Sequence, residues 1–280
     1  MPGTLFIVAT PIGNLADITY RAVKVLSEAD VIACEDTRHT RKLLQHFGIT
    51  TRTISYHEHN EKERSDQLIA TLQEGKNVAV VSDAGTPSIS DPGFRLVRSA
   101  IDAHIPVVPI PGPSALITAL VAAGVATDEF FFGGFLPART NARQVKLREL
   151  ASIPATLIFY EAPHRLAATL QDAVAILGER EAVVARELTK LHEEIRRGRL
   201  SELAAHYSNE DARGEIVLII DRKVLISSDI EPSSVSIGEV VAKYEAEGID
   251  HRAALKKAAR ELGLSRAAAY RQLQVERGRS

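Results

Sequence analysis

The feature that most constrains the fold is a regular alternation of short apolar segments and amphipathic helical patterns between residues 4 and 110. The five apolar segments have the length and composition of strands, and each is followed by a long helical pattern. They are Leu5–Ala9, Val31–Cys34, Thr53–Tyr56, Val78–Ser82 and Val107–Ile110. Parallel strands need crossover connections of about this length, so the alternation predicts a mostly parallel sheet covered by helices.

The alternation restarts after an apolar, small-residue helix that follows Pro111. Five further segments have the pattern of strands. They are Phe130–Phe135, Ala155–Tyr160, Glu181–Glu187, Glu194–Gly198 and Glu215–Ile220. The sequence therefore predicts two α/β domains, residues 1–116 and 117–224, rather than one continuous sheet.

A polar Ser- and Pro-containing segment, residues 225–235, is typical of a linker, and a helical module is predicted over residues 236–280. Asp250 and Ser265 are good helix N-caps, and Gly263 stands where a helix commonly ends. The three helical patterns are Gly238–Glu247, His251–Leu262 and Arg266–Gln274. Their spacing resembles a helix-turn-helix and favours a nucleic-acid-binding module, with a structural or dimer-forming cap as the alternative.

Charge is distributed unevenly along the chain. The net charge is −2, but residues 251–280 hold eight Lys or Arg against two Glu and carry +6, which leaves −8 on the first 250 residues. A basic appendage on an acidic body suggests a polyanionic partner, most simply nucleic acid.

Composition excludes several classes of protein. Apolar residues make up 45% and charged residues 25%, as in ordinary globular proteins. No run approaches the roughly 20 apolar residues of a membrane span, and no leader pattern opens the chain, so a cytoplasmic location is expected. Cys34 is the only cysteine, so it is expected to be a small buried residue. His57, Glu58 and His59 would point to alternating faces, so no metal site is predicted.

The loop within Val80–Gly93 is the segment most indicative of binding. It contains Asp83 and Ser88 together with several Gly and Pro residues, and it follows the carboxyl end of an apolar strand, where α/β sheets bind ligands. A plain strand-to-helix connection is the alternative. After the first strand only Gly13 remains of a dinucleotide-binding Gly-x-Gly-x-x-Gly, and no P-loop pattern occurs, so both nucleotide-binding classes are disfavoured.

Ionisable residues also follow other predicted strands. These segments are Glu35–Thr40, His57–Asn60, Phe159–Arg165 and Arg186–Lys190. Because several strand ends carry polar clusters, we expect them to converge on one cleft. Within the third segment, Glu161 and Arg165 are four residues apart, so a surface ion pair is an alternative interpretation.

Five ordered motifs together resemble the tetrapyrrole (corrin/porphyrin) methylase superfamily, and within it the branch that methylates small-subunit ribosomal RNA. The motifs lie in Phe6–Asn14, Glu35–Arg38, Val81–Gly93, Pro111–Ala115 and Phe159–Arg165. The similarity covers residues 4–222, and the C-terminal module resembles the helix-turn-helix extension of that branch. Pro-Ile-Gly replaces the usual Gly-Pro-Gly loop, and Ser-Asp-Ala-Gly replaces a Gly-Asp-Pro element, which favours the RNA branch.

This resemblance implies that S-adenosylmethionine binds between the two α/β domains. It also implies 2′-O-methylation of a cytidine in the decoding region of 16S rRNA, with the rRNA or the small ribosomal subunit as partner, and a homodimer. The cofactor-binding residues implied by the motifs are Pro11, Ile12, Gly13, Asp83, Ala84, Gly85, Ile89, Ser114, Ala115, Tyr160, Glu161, Gly198 and Glu215.

Methylation of a ribose hydroxyl needs a proton acceptor or a cationic stabiliser near the methyl group. The candidate bases are Asp36, His57 and Glu187, and the candidate stabilisers are Arg38 and Lys190. The sequence does not rank them. A second basic cluster, Arg139, Arg143, Lys146 and Arg148, is either a solvated helix face or a surface for RNA phosphates.

Two other functions remain open at this point. One is a methylase of the same superfamily that acts on a small tetrapyrrole-like substrate, although such a substrate would not need a basic helical module. The other is a transcriptional regulator whose α/β body senses a ligand and whose helix-turn-helix binds DNA.

Overall fold

The computed structural model describes residues 1–57, 59–89, 93–222, 236–262, 264, 268–270 and 273. The chain divides into two compact units, residues 1–223 and residues 224–280. The first unit contains two sheets, and the second contains the helical module. No helix among the described residues is long and apolar enough to cross a membrane.

The first sheet has five strands in the order β3-β2-β4-β1-β5, and all of its neighbouring strands are parallel. This confirms the parallel sheet predicted from the strand and helix alternation. The strands are β1 Leu5–Val8, β2 Val31–Cys34, β3 Thr53–Ser55, β4 Val78–Val81 and β5 Val107–Ile110.

Helices cover both faces of this sheet, which is why its central strand is buried along its whole length. Leu26 and Leu44 pack on one face, and Leu68 and Leu96 pack on the other. Cys34 is free and fully buried, as expected. The helices are α1 Tyr20–Glu28 and α2 Thr37–His46 on the first face, and α3 Glu61–Gln73 and α4 Phe94–Asp102 on the second.

The second sheet has the order β6-β7-β10-β8-β9 and is mixed: β6 and β7 are parallel, and the other pairs are antiparallel. Its strands are β6 Phe130–Phe135, β7 Thr156–Glu161, β8 Glu181–Arg186, β9 Glu194–Arg199 and β10 Ile216–Ile220. All five lie within a residue or so of their predicted positions.

Four helices pack against this second sheet. The helices are α5 Ala115–Ala123, α6 Thr140–Leu150, α7 Leu166–Leu177 and α8 Leu200–Asn209. Leucines of the last three share one core, while Leu116 and Leu120 of α5 pack on the opposite face with Ile158 and Val217. The domain boundary predicted after residue 116 therefore falls inside the first turn of a helix that belongs to the second core.

A β-bulge interrupts β6. Phe132 pairs with Ile158 and Phe135 pairs with Tyr160, so three steps along β6 match two along β7. Gly134 has a φ of 60°, a conformation that suits glycine. Residues three apart on a regular strand face opposite sides, but both Phe132 and Phe135 contact the Tyr160 ring, at centroid distances of 5.0 and 5.7 Å.

The helical unit contains α9 Ile237–Ala246 and α10 His251–Glu261, in agreement with two of the predicted helices. Ser236 and Glu239 form a capping box that the sequence analysis missed, and Asp250 caps α10 as predicted. The linker 225–235, together with Gly263 and Ser265, lies outside the described residues, as does most of the third predicted helix.

Arg143 corrects the prediction of a basic surface on α6. Its side chain is buried, and its guanidinium binds the carboxylate of Asp172 on α7 at 2.6 Å and the carbonyl oxygen of Ala138 at 3.3 Å. Arg143 therefore joins α6 to α7 and does not face solvent. Arg148 on the same helix is exposed.

We expect Arg143→Ala to lower the free energy of unfolding by about 3 kcal/mol, because it leaves the Asp172 carboxylate buried without its partner. Urea denaturation would measure the change. The exposed Arg148→Ala is the control and should change stability by less than about 0.5 kcal/mol. Arg143→Ala/Asp172→Ala should lose less than the sum of its two single variants, and strict additivity would contradict this account.

Candidate functional site

A cavity of about 380 Å³ lies between the carboxyl edge of the first sheet and the second sheet. Its size is within the range of small-molecule sites. Loops that follow β1, β4 and β5 form one side, and the ends of β7 and β10 and the loop after β8 form the other. The lining residues are Ile12, Ala84, Gly85, Thr86, Ile89, Ser114, Ala115, Phe135, Tyr160, Glu161, Ala162, Pro163, Leu188, Gly214, Glu215, Ile216 and Val217.

Hydrogen bonds hold the three loops of the first side together. Thr10 and Gly85 exchange backbone hydrogen bonds of 2.9 and 3.1 Å, which form an isolated antiparallel bridge. The Thr86 hydroxyl donates to the carbonyl oxygen of Pro113 at 3.2 Å. Gly85 has a φ of 81°, and an added Cβ would lie 3.4 Å from Ile12. The loop after β4 therefore needs glycine where it meets the loop after β1.

On the second side, Glu161 is buried and fully engaged. Its Oε2 accepts a hydrogen bond of 2.6 Å from Thr169, its Oε1 accepts one of 2.8 Å from the amide of Ala162, and Arg165 lies 3.1 Å away. The alternative of a surface ion pair is therefore wrong, because none of the Glu161 side chain is exposed. Arg165 also donates to the carbonyl oxygen of Leu136, so this pair fixes the end of β7.

Most of the predicted cofactor-binding residues lie together in the cavity wall. Those that line it are Ile12, Ala84, Gly85, Ile89, Ser114, Ala115, Tyr160, Glu161 and Glu215. Pro11, Gly13 and Asp83 are chain neighbours of lining residues but are not in the wall themselves.

Gly198 lies elsewhere. Gly198 is on the edge strand β9 and pairs with Ala182 of β8. Ala182 pairs with Ile220 of β10, and Ile220 pairs with Leu157 of β7, so Gly198 lies level with Leu157. That level is four residues from Glu161, or about 13 Å along the strand. The structure therefore places Gly198 toward the end of the sheet away from the cavity.

Glu187, Lys190 and Glu215 form a cluster at the cavity rim. The Lys190 ammonium lies 2.8 Å from Glu187 and 3.0 Å from Glu215. The Lys190 hydrogen bond, followed by the amide of Glu215, lowers the pKa of Glu187. Burial acts to lower the pKa of Lys190, but its bonds to the two carboxylates outweigh burial and raise it. Lys190 is thus held as a cation beside the cavity.

Two glycines allow this cluster to form. A Cβ at Gly13 would lie 2.4 Å from Cγ of Lys190, and a Cβ at Gly214 would lie 2.3 Å from the Glu187 carboxylate. Glu187 and Thr189 adopt φ values of 50° and 66°, which are unusual for residues with side chains. The loop after β8 is therefore held in a strained form against both glycines, as is common at functional sites.

Asp36 and Arg38 lie at the start of α2, which follows β2. In the sheet, β4 lies between β2 and the strand β1 whose loop lines the cavity. Asp36 caps the helix by accepting from the Arg38 amide at 2.8 Å, and its own amide donates to Oδ1 of Asp83 at 3.0 Å. The side chain of Arg38 pairs with Asp36 at 2.8 Å. The hydrogen bonds from the side chain and amide of Arg38 lower the pKa of Asp36 to about 2.

His57 and Glu35 complete this outer part of the sheet edge. The Nε2 atom of His57 lies 3.3 Å from the side-chain amide of Asn60. Burial, followed by the charge of Asp83, raises the pKa of Glu35, a carboxylate that the sequence analysis did not select. Neither residue is in the cavity wall. Among the residues that the structure describes, no group of three or more His, Cys, Asp or Glu is placed to hold a metal ion.

Sequence reasoning missed several lining residues. They are Thr86, Phe135, Ala162, Pro163, Leu188, Gly214, Ile216 and Val217. Ala162 and Pro163 belong to the motif Phe159–Arg165, and Leu188 lies between the predicted residues Glu187 and Lys190. Their closeness in the chain to predicted site residues could therefore have indicated that they line the cavity. Phe135 had no such signal, because it faces the cavity only through the bulge in β6.

The family model described as tetrapyrrole (corrin/porphyrin) methylases matches residues 4–204. A ribosomal RNA small subunit methyltransferase I of Halalkalibacterium halodurans is 48% identical over 274 residues, covering 96% of this chain and 93% of that protein. A protein of the same name from Escherichia coli O157:H7 is 55% identical over 222 residues and covers 78% of each chain.

Solved structures share the fold at lower sequence identity. A cobalt precorrin-4 methyltransferase is 19% identical with a TM-score of 0.60, over 78% of this chain and 94% of that chain. A uroporphyrin-III C-methyltransferase from Thermus thermophilus, complexed with S-adenosylhomocysteine, is 19% identical with a TM-score of 0.55, over 78% and 97% of the two chains.

We expect Arg38→Ala to raise the pKa of Asp36 from about 2 toward its ordinary 3.8, because the guanidinium hydrogen bond is the largest cause of the shift. A lowered pKa means that the Asp36 interaction stabilises the fold above pH 3.8 and is lost as the pH falls through about 2. Carboxyl-carbon NMR titration would measure the pKa. Arg41→Ala, which changes an exposed residue of the same helix, should leave it unaltered; equal pKa values in the two variants would contradict the assignment.

Proposed function

Because the chain belongs to the tetrapyrrole (corrin/porphyrin) methylase family, we propose that it uses S-adenosylmethionine to methylate ribosomal RNA of the small subunit. More narrowly, we propose 2′-O-methylation of a cytidine ribose in the decoding region of 16S rRNA. The observation that carries the proposal is the convergence of most motif-derived residues on one cavity, in a chain about half identical to rRNA methyltransferases along most of its length.

The cavity suits S-adenosylmethionine in its chemistry. Ile12, Leu188 and Val217 offer apolar contact for an adenine ring. Ser114 and Ala115 stand at the N-terminus of α5, where backbone amides and the helix dipole favour a carboxylate such as that of the methionine moiety. Glu215 offers a carboxylate to an ammonium group. The Glu161 side chain is already engaged, so we assign its role to positioning the wall.

When bound, the cofactor supplies an electrophilic methyl group. The methyl group would pass to the ribose oxygen as its bond to sulfur broke, and a base of this chain would accept the hydroxyl proton. Effective bases have pKa values near the operating pH. Cationic partners lower the pKa of both Asp36 and Glu187, so neither is suited to accept this proton.

Other parts of the chain support a large anionic substrate. In α10, Arg252, Lys256 and Arg260 follow at intervals of four residues and line a hollow with Asp250. We propose that the helical module, over residues 236–280, contacts RNA. We also propose a cytoplasmic homodimer; the exposed apolar residues Ile117, Val121 and Leu191 support a contact with a second copy.

The test is incubation of the protein with labelled S-adenosylmethionine and either small ribosomal subunits or free 16S rRNA, followed by mapping of methylated riboses. We expect one labelled cytidine in the decoding region. Label on a tetrapyrrole precursor and on no RNA would support the small-substrate alternative and overturn the proposal.

We expect Gly214→Ala to weaken binding of S-adenosylmethionine by tenfold or more, because its Cβ would displace the Glu187 carboxylate and the Lys190 that it holds. Gly178→Ala is a matched control: Gly178 also has a positive φ, of 73°, but an added Cβ meets nothing within 4 Å. Both variants should also lose roughly 1–3 kcal/mol of stability from backbone strain, because alanine rarely adopts a positive φ. Calorimetric affinities that fall equally in both would contradict a role for the cluster.

A further inference from the structure

The exposed face of α2 carries a continuous basic stripe. Arg41, Lys42 and His46 lie three, four and eight residues after Arg38, and all four are exposed. Such spacing places side chains on one side of a helix, here over about 12 Å. The helix contains no Asp or Glu within its bounds. We propose that this stripe binds the RNA sugar-phosphate backbone beside the cavity, an inference that rests on the proposed function.

The charges of the stripe are largely uncompensated. Only Arg38 has an acidic partner, the Asp36 carboxylate at 2.8 Å, and within the described part of the chain Arg41 and Lys42 form no ion pair. On the other face of the same sheet, by contrast, both arginines of α4 are paired. Arg95 lies 3.6 Å from Glu61, and Arg98 lies 3.3 Å from Asp102.

This contrast matters because the first 250 residues carry a net charge of −8. A local excess of basic groups on an acidic body opposes the general field of the protein. It therefore marks the place where a polyanion meets least repulsion. Arg and Lys are also the side chains that contact phosphates most often.

The stripe is also attached to the cavity. The amide of Asp36, immediately before α2, donates to Asp83, and Asp83 precedes the lining residue Ala84. Buried residues anchor the opposite side of the helix; they are Thr40, Leu43 and Leu44. Because α2 is anchored in this way, it would hold bound RNA at a fixed position relative to the cavity. The stripe would begin at the edge of the sheet where the cavity lies, which is where the substrate ribose would enter.

The test compares two double variants of the full-length protein. Arg41→Glu/Lys42→Glu reverses two charges of the stripe, and neither residue has a role in the cavity or in the proposed chemistry. The matched control is Lys62→Glu/Arg98→Glu, which makes the same charge change at exposed positions of α3 and α4 on the other face. Both variants should still unfold in a single cooperative transition and bind S-adenosylmethionine with wild-type affinity by calorimetry, which shows that fold and cofactor site are intact.

We expect the stripe variant to bind a 16S rRNA fragment containing the decoding region at least tenfold more weakly, with a KM for methylation raised to a similar extent. Its slope of log Kd against log salt should fall by about 1.4, the value for two lost phosphate contacts on single-stranded RNA. The control should keep most of the affinity and the slope. Unchanged binding and slope in the stripe variant would overturn the proposal.

Two other outcomes also decide the question. If the stripe variant loses methylation of intact subunits but binds free rRNA normally, the partner of α2 is a protein of the subunit, and the RNA proposal is wrong. If the wild type methylates no RNA at all, the proposed function is wrong. Binding of the rRNA fragment by the two variants, measured by filter binding, still decides whether α2 binds RNA.

Discussion

The pair of backbone hydrogen bonds between Thr10 and Gly85 is the interaction on which the site depends most. A parallel sheet brings its carboxyl ends to one edge, but it does not fix the loops that leave that edge. This bridge joins the loop after β1 to the loop after β4, and it leaves Ile12 free to pack into the core of the second sheet. The same few residues thus shape the cavity and connect the two halves of the unit.

Electrostatic roles at this edge are divided by position. Near the cavity, Lys190 pairs with both Glu187 and Glu215 and is held as a cation. Beyond β4, burial and the charge of Asp83 make Glu35 a weaker acid, whereas Arg38 makes Asp36 a stronger one. Carboxylates that are neighbours in sequence therefore differ in protonation behaviour because of their surroundings, which the sequence does not reveal.

The fold was largely predictable because its signals are local. Most strands are short apolar runs bounded by turn residues, and Asp250 caps its helix as its position suggests. What could not be predicted depends on distant partners. Arg143 is buried because Asp172, on the next helix, neutralises it, whereas its sequence context is that of an exposed basic helix. The antiparallel pairing of the second sheet likewise has no local signature.

The candidate site shows the same division. Motifs at strand ends located most of the cavity wall, because strand ends converge in any parallel sheet. Gly198 was misplaced with respect to the cavity because the register between β8 and β9 decides its level, and register is a long-range property. Gly214 was missed because it is needed only to leave room for the Glu187 side chain, a contact between residues far apart in the chain.

The bulge in β6 makes one side of the cavity depend on how the strand accommodates its extra residue. With one extra residue, Phe135 stands on the same side as Phe132 and reaches the cavity beside Tyr160. Straightening β6 without removing a residue would turn that ring to the opposite face, whereas removing Gly133 or Gly134 would remove the bulge and leave the ring on the same face, two residues after Phe132. Gly134, whose positive φ permits the bulge, therefore determines whether an aromatic ring forms this wall of the cavity.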